Sequence, residues 1–141
     1  MNALLKRLLT KREVGSIIYI MKHNQSAEDY LETILLLSKE LEDVHQIEIA
    51  RKMGVSQPAV QKALRALKDK GYIVTDGLHI HLTEQGKEYA QRVYHRHITI
   101  REFLIARGVS FDVADVDACE IEHVISNESF EAIEKFTAAN K

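Results

Sequence analysis

The chain has 141 residues, 45% hydrophobic and 28% charged, with one proline, one cysteine and a formal net charge of -2. This composition predicts a folded, helix-rich chain, excludes an internal disulfide framework, and by net charge alone argues against general nucleic-acid binding. No apolar run approaches the roughly 18 residues a membrane span needs, no secretory leader is recognisable, and the single cysteine fits a reducing cytoplasm.

Residues 1–24 carry five bases (Lys6, Arg7, Lys11, Arg12, Lys22) and one acid, Glu13, with a short stripe of Leu4, Leu5, Leu8 and Leu9. An accessory helix, a DNA-contacting arm, a tail and sequence upstream of a start at Met21 all stay open. Ser26 with Asp29 resembles a capping box, and Tyr30, Ile34, Leu35 and Leu37 continue an apolar face to about Leu41. Residues 45–53 form a second short helix with Ile47, Ile49, Ala50 and Met53 inward, broken by Gly54. Ser56 caps a third helix, Pro58 sits in its first turn, and Val60, Ala63, Leu64 and Leu67 face inward until Gly71.

Tyr72–Thr75 is strand-like, Asp76-Gly77 signals a hairpin turn, and Leu78–Leu82 alternates as a strand with one buried face. Thr83 opens a long helix to about Arg107, closed by Gly108. Two shorter helices follow, at about 112–125 and 127–138. The fold class is therefore mostly α: an N-terminal winged helix-turn-helix followed by a helical lobe. The expected divisions are an extension over 1–24, a DNA-binding domain over 25–84 and a metal-binding and dimerisation domain over 85–141.

Charge is unevenly spread along the chain. Val44–Gly71 has six Lys/Arg against two acids, whereas Val109–Lys141 has eight acids against two bases. A basic middle and an acidic end suggest one lobe that meets phosphate and one that does not. The third helix would enter the major groove of double-stranded DNA by its N-terminal residues. The DNA-facing set is Ser56, Gln57, Pro58, Ala59, Gln61, Lys62 and Arg65, with Gln suited to adenine and Lys to guanine or phosphate. Lys68 and Lys70 suit the backbone, and the hairpin tip would be the wing. The competing reading is a helical domain with a solvated polar face.

Cys119, Glu122 and His123 lie at i, i+3 and i+4 and share one helix face. A thiolate, a carboxylate and an imidazole together suit a divalent transition metal. Asp29 and Glu32 form a second i, i+3 pair, and His97 lies midway along the long helix, so all six could converge. Helix-start acids, a core cysteine and a surface histidine are the plainer readings of the same residues. Cys119 as a nucleophile with His97 or His123 as base would make an enzyme, but no oxyanion or glycine-rich motif supports one. A metal-independent winged-helix regulator is the remaining alternative.

Four segments carry a family resemblance: Ser26–Glu32, Val55–Val60, Tyr94–His97 and Cys119–Ser126. They resemble the diphtheria toxin repressor family, in particular its manganese transport regulator branch, over about residues 26–138. The resemblance implies a homodimeric, metal-activated transcription factor, usually a repressor of metal-uptake genes. It implies metal ligation by Asp29, Glu32, His97, Glu122 and His123, and dimerisation through the last helices. Position 119 is often Glu in the manganese branch and Cys in the iron branch, whereas position 29 is Met in the iron branch and Asp here. The site is a hybrid, and losing a carboxylate at 119 argues against a bridged two-metal centre. Arg101 stands where the iron branch's second site would want an acid. The iron branch's extra C-terminal domain is not expected, the sequence ending at Lys141. The hard oxygens of Asp29 and Glu32 favour Mn²⁺. The soft Cys119 brings Fe²⁺ close behind, and Zn²⁺ or Co²⁺ would also bind in vitro.

Overall fold

The computed structural model describes residues 11–140, with side chains from Ser26 onward. The leucine stripe at positions 4–9 lies outside the described residues. Helix α1 runs over Lys11–Glu40, α2 over Gln46–Met53 and α3 over Gln57–Asp69. Strands β1 (Ile73–Asp76) and β2 (His79–Leu82) form an antiparallel hairpin, followed by α4 (Glu84–Ala106), α5 (Phe111–Ile121) and α6 (Asn127–Ala139).

The expected start at Ser26 is overturned, because α1 is already helical from Lys11. Residues 11–25 contain no proline, and adding a turn to an existing helix is far easier than nucleating one. Ser26 therefore sits inside the helix instead of capping it. Ile47, expected inward, is exposed. Helix α2 buries Ile49 and Ala50, and a residue two before Ile49 lies on the far side of an α-helix. Leu41 lies just past the end of α1 and is also exposed.

Two turns are fixed by backbone chemistry. Gly54 caps α2 in the left-handed region at φ 66°, its N–H donating to Ala50 O, and Ser56 Oγ accepts from Ala59 N at the start of α3. Glycine at that φ releases the chain into the next helix without the Cβ clash. The hairpin register pairs Asp76 with His79, so the two-residue loop is Gly77-Leu78 and not Asp76-Gly77. Gly77 takes φ 60° as first central residue, which suits a turn with glycine in that place. The shift carries Leu78 to the exposed tip, while Ile80 alone on β2 is fully buried.

The main core joins α1, α2, α3 and the hairpin through Leu31, Ile34, Ile49, Val60, Leu67 and Ile73. A smaller core joins α4, α5 and α6 through Ile100, Ala118 and Phe130. Helix α4 packs on α1 and also on α5 and α6, so it belongs to both halves. Its first turn presses on the hairpin: a Cβ on Gly86 would lie 1.9 Å from Tyr72 O. Thr83 caps α4 by accepting from Gly86 N and donates to Gly71 O.

Candidate metal centre

Helix α5 ends at Ile121, short of the expected 125, so Glu122 is its C-cap and His123 stands in the turn toward α6. Glu122 keeps helical dihedrals, so the i, i+3, i+4 cluster survives the shortening. Arg96 fixes this turn. It donates to Glu122 O and Ile125 O at 3.2 Å each, also to Asn127 Oδ1, and it lies over the Phe130 ring. A guanidinium closing the C-cap carbonyl of α5 and a carbonyl of the following connection satisfies acceptors that would otherwise be orphaned.

All six expected metal donors meet between α1, α4 and the end of α5. Asp29, Cys119, Glu122 and His123 form one group with donor atoms mutually within 4.8 Å. Glu32, His97 and Glu122 form another under the same limit. Glu122 belongs to both. Its Oε1 lies 3.3 Å from His123 Nε2 and its Oε2 lies 3.3 Å from His97 Nδ1. The Glu122 side chain is fully buried, yet neither oxygen has a hydrogen-bond partner, nor has His97 Nδ1. Buried carboxylates are normally paired or coordinate a cation. The unsatisfied Glu122 oxygens thus face one histidine each, Oε2 toward His97 Nδ1 and Oε1 toward His123 Nε2, an arrangement whose chemistry fits a divalent ion.

The electrostatics follow from burying so many charges together. Burial, with the negative charge of Glu122, raises Glu32 to about 7. Burial likewise raises Glu122, against the pull of His97 and His123. Contact with Glu122 lifts His97 to about 9; burial opposes this and Asp115 reinforces it. For His123, burial works against the charged ring, but Asp29, Cys119 and Glu28 outweigh it and push it up to about 12. Without a cation, the protein uses protons on the histidines to balance the carboxylates.

Four residues at the site escaped the sequence reading. Glu28 Oε2 lies 2.6 Å from His123 Nδ1, and Glu28 Oε1 accepts from Tyr89 OH. Asp115 Oδ1 lies 2.8 Å from His97 Nε2 and accepts from Arg101. Arg101 is thus paired to an acid of α5. Nothing in local spacing marks Glu28, Tyr89, Asp115 or Arg96, because each acts across a long sequence separation. His95 turns away from the cluster to pair with Glu134. His79 pairs with Asp43 at 3.1 Å, away from the donor groups.

On α3, Ser56, Gln57, Pro58, Ala59, Gln61, Lys62 and Arg65 are all exposed, while Val60, Leu64 and Leu67 are buried beneath them. The polar face is therefore free to approach a ligand. Lys68 donates to Thr75 Oγ1 on β1, which ties α3 to the wing.

Fold and site together define a winged helix-turn-helix protein with a buried cluster of metal-type donors at the junction of its two halves. Residues 22–78 match the family model described as iron dependent repressor, N-terminal DNA binding domain. Residues 83–140 match the model for the iron dependent repressor, metal binding and dimerisation domain. The transcriptional regulator MntR of Escherichia coli O6:H1 is 37% identical over 111 residues, covering 78% of this chain and 72% of that protein. The HTH-type transcriptional regulator MntR of Geobacillus kaustophilus is 32% identical over 102 residues, 72% of each chain. The solved manganese regulator SloR superposes with a TM-score of 0.72 at 32% identity, over 79% of this chain and 53% of that one. The metal-dependent transcriptional regulator MtsR gives 0.75 at 27%, over the same shares. The chain spans about half the length of these solved regulators. It belongs to the iron dependent repressor family, as the resemblance implied. No described helix is long and apolar enough to cross a membrane.

Proposed function

We propose that this protein is a divalent-metal-responsive DNA-binding repressor acting as a homodimer in the cytoplasm, with Mn²⁺ the favoured ion and Fe²⁺ next. The observation that carries the reading is the buried Glu122 carboxylate shared by two donor groups drawn from α1, α4 and the end of α5. Asp29, Cys119, Glu122 and His123 would hold one ion and Glu32, His97 and Glu122 a second. Glu122, common to both groups, would be the residue that two ions share, although position 119 is not a carboxylate. Five of the six donor residues offer carboxylate or imidazole, which suits Mn²⁺, and the Cys119 thiol favours Fe²⁺. When bound, such a cation supplies the positive charge that lets these carboxylates stay ionised and buried together.

The residues' positions give the mechanism. Asp29 and Glu32 stand on α1, which packs against the helix-turn-helix, while Cys119, Glu122 and His123 stand at the far end of α5. Drawing the two sets together fixes α1 against α4 and α5. The position of α3 relative to the dimerisation helices then becomes rigid. A dimeric reader needs its two recognition helices spaced to match its half-sites. The coupling equals the difference in ion affinity between the fixed and loosened arrangements, and DNA must tighten ion binding by the same factor.

Asp29→Ala and His123→Ala test the donor assignment. Each should keep the helical far-UV spectrum and lose metal-stimulated binding to duplex DNA from the protein's own upstream region. Retention of full metal stimulation by either variant would remove that residue from the donor set.

A further inference from the structure

Each histidine of the cluster has two ring nitrogens, and only one can face the ion. In neutral imidazole one nitrogen donates and the other accepts, and the partner of the donating nitrogen decides which is free to coordinate. The structure gives both rings such a partner. His123 Nδ1 lies 2.6 Å from Glu28 Oε2, while its Nε2 faces Asp29 at 2.7 Å and Glu122 at 3.3 Å. His97 is turned the other way. Its Nε2 lies 2.8 Å from Asp115 Oδ1, while its Nδ1 faces Glu122 at 3.3 Å.

We propose that Glu28 and Asp115 are positioning residues that set the two histidines in opposite tautomers, so that His123 coordinates through Nε2 and His97 through Nδ1. Neither carboxylate belongs to the two donor groups. Each is itself held from behind. Tyr89 OH donates to Glu28 Oε1 at 2.8 Å, and Arg101 donates to Asp115 Oδ1 at 2.9 Å while its guanidinium lies over the Phe111 ring. Two chains result, Tyr89–Glu28–His123 and Arg101–Asp115–His97, closing on the shared Glu122 from opposite sides. They also place adjacent α1 residues in different roles: Asp29 faces the ion and Glu28 orients the ring that faces it.

The proposal rests on the reading of the six residues as metal donors, and the test separates the two. Long-range proton–nitrogen spectra of ¹⁵N-histidine protein, loaded with diamagnetic Zn²⁺, report which nitrogen of each ring carries a proton and which binds metal. His123 should appear protonated at Nδ1 and metallated at Nε2, and His97 protonated at Nε2 and metallated at Nδ1. Metal on the opposite nitrogen of either ring would overturn the assignment while leaving the donor set intact. Failure of Zn²⁺ to shift either ring would overturn the donor set and the proposal together.

Glu28→Gln and Asp115→Asn keep the shape and remove the charge. Once corrected for the proton each ring must release, which Glu28 and Asp115 make harder to remove, each variant should lower Mn²⁺ affinity by about 10- to 100-fold, as loss of a carboxylate behind a ligating histidine typically does, with the far-UV spectrum unchanged. Wild-type affinity and unchanged ring spectra in both variants would refute a positioning role.

Discussion

Metal uptake should be strongly coupled to proton release, and the size of the coupling follows from the site. His97 is lifted to about 9 and His123 to about 12 in the absence of a cation, so both rings are protonated at pH 7. Both must be neutral to coordinate. Removing a proton two pH units below its pKa costs about 3 kcal/mol, roughly 100-fold in affinity. Between pH 7 and 8.5 the two rings together should therefore raise apparent Mn²⁺ affinity by nearly three powers of ten, on the order of tenfold per pH unit per proton. Histidines at their ordinary value near 6.5 would be mostly neutral already and would contribute less than about twofold. Cys119 must also lose its proton if it coordinates, so Cys119→Ala is titrated in parallel to remove the thiol; the raised carboxyls of Glu32 and Glu122 add to the count at the lower end of this pH range. The assay is anaerobic calorimetric titration with Mn²⁺ in buffers of different ionisation enthalpy, which counts protons directly. Two protons released per subunit in Cys119→Ala near pH 7.5 would match the structure. Release of less than half a proton, with affinity flat from pH 7 to 8.5, would refute the electrostatic reasoning.

The same charges make metal-free stability depend on pH. His97 has its folded-state value raised above 6.5, so its contribution is fully present below 6.5 and is lost as pH rises through about 9. With this ring only 10% exposed, the loss approaches about 3 kcal/mol; urea midpoints in chelator should fall between pH 6.5 and 9, and a constant midpoint would contradict this. Lys62→Ala should weaken operator binding about uniformly across sequences and reduce the salt slope by about one if Lys62 meets phosphate, with Mn²⁺ affinity unaltered; unchanged affinity and slope at all salt concentrations would take Lys62 out of the interface. Gly86→Ala should cost about 1–3 kcal/mol by overpacking, because its Cβ would overlap the Tyr72 carbonyl oxygen; a thermal melt showing the gain of up to about 1 kcal/mol expected from helix propensity alone would show that the hairpin yields freely.

Much of the fold is legible in the sequence where local chemistry decides it. Gly54, Ser56, Pro58, Thr83 and Gly108 mark helix ends by their capping chemistry, and the elements fall there. The reading fails where two local signals compete. Ser26 offers a cap, but the upstream chain continues the helix. Asp76-Gly77 offers a turn, but a positive φ at the first central position moves the loop by one residue and puts Leu78 at the tip.

The donor residues show a similar division. The spacing of Asp29 with Glu32 and of Cys119 with Glu122 and His123 places each set on one helix face. That the sets meet across some 90 residues of sequence separation follows from the packing of α1 against α4 and α5, which periodicity does not encode; the family resemblance supplied it. The residues behind the histidines carry no spacing signal. Glu28 looks like one more acid beside Asp29, and Asp115 one more in an acidic helix.

The central claim is that occupancy of the Glu122 centre controls DNA binding. Fluorescence anisotropy on labelled duplex from the protein's own upstream region, first in chelator and then with Mn²⁺, Fe²⁺ and Zn²⁺ added anaerobically, tests it most directly. Binding that is weak in chelator and tightens at least tenfold with Mn²⁺, about 1.4 kcal/mol of coupling, is the predicted result. Equal affinity in chelator and in saturating metal would contradict the account and leave a winged-helix DNA binder that does not respond to metal.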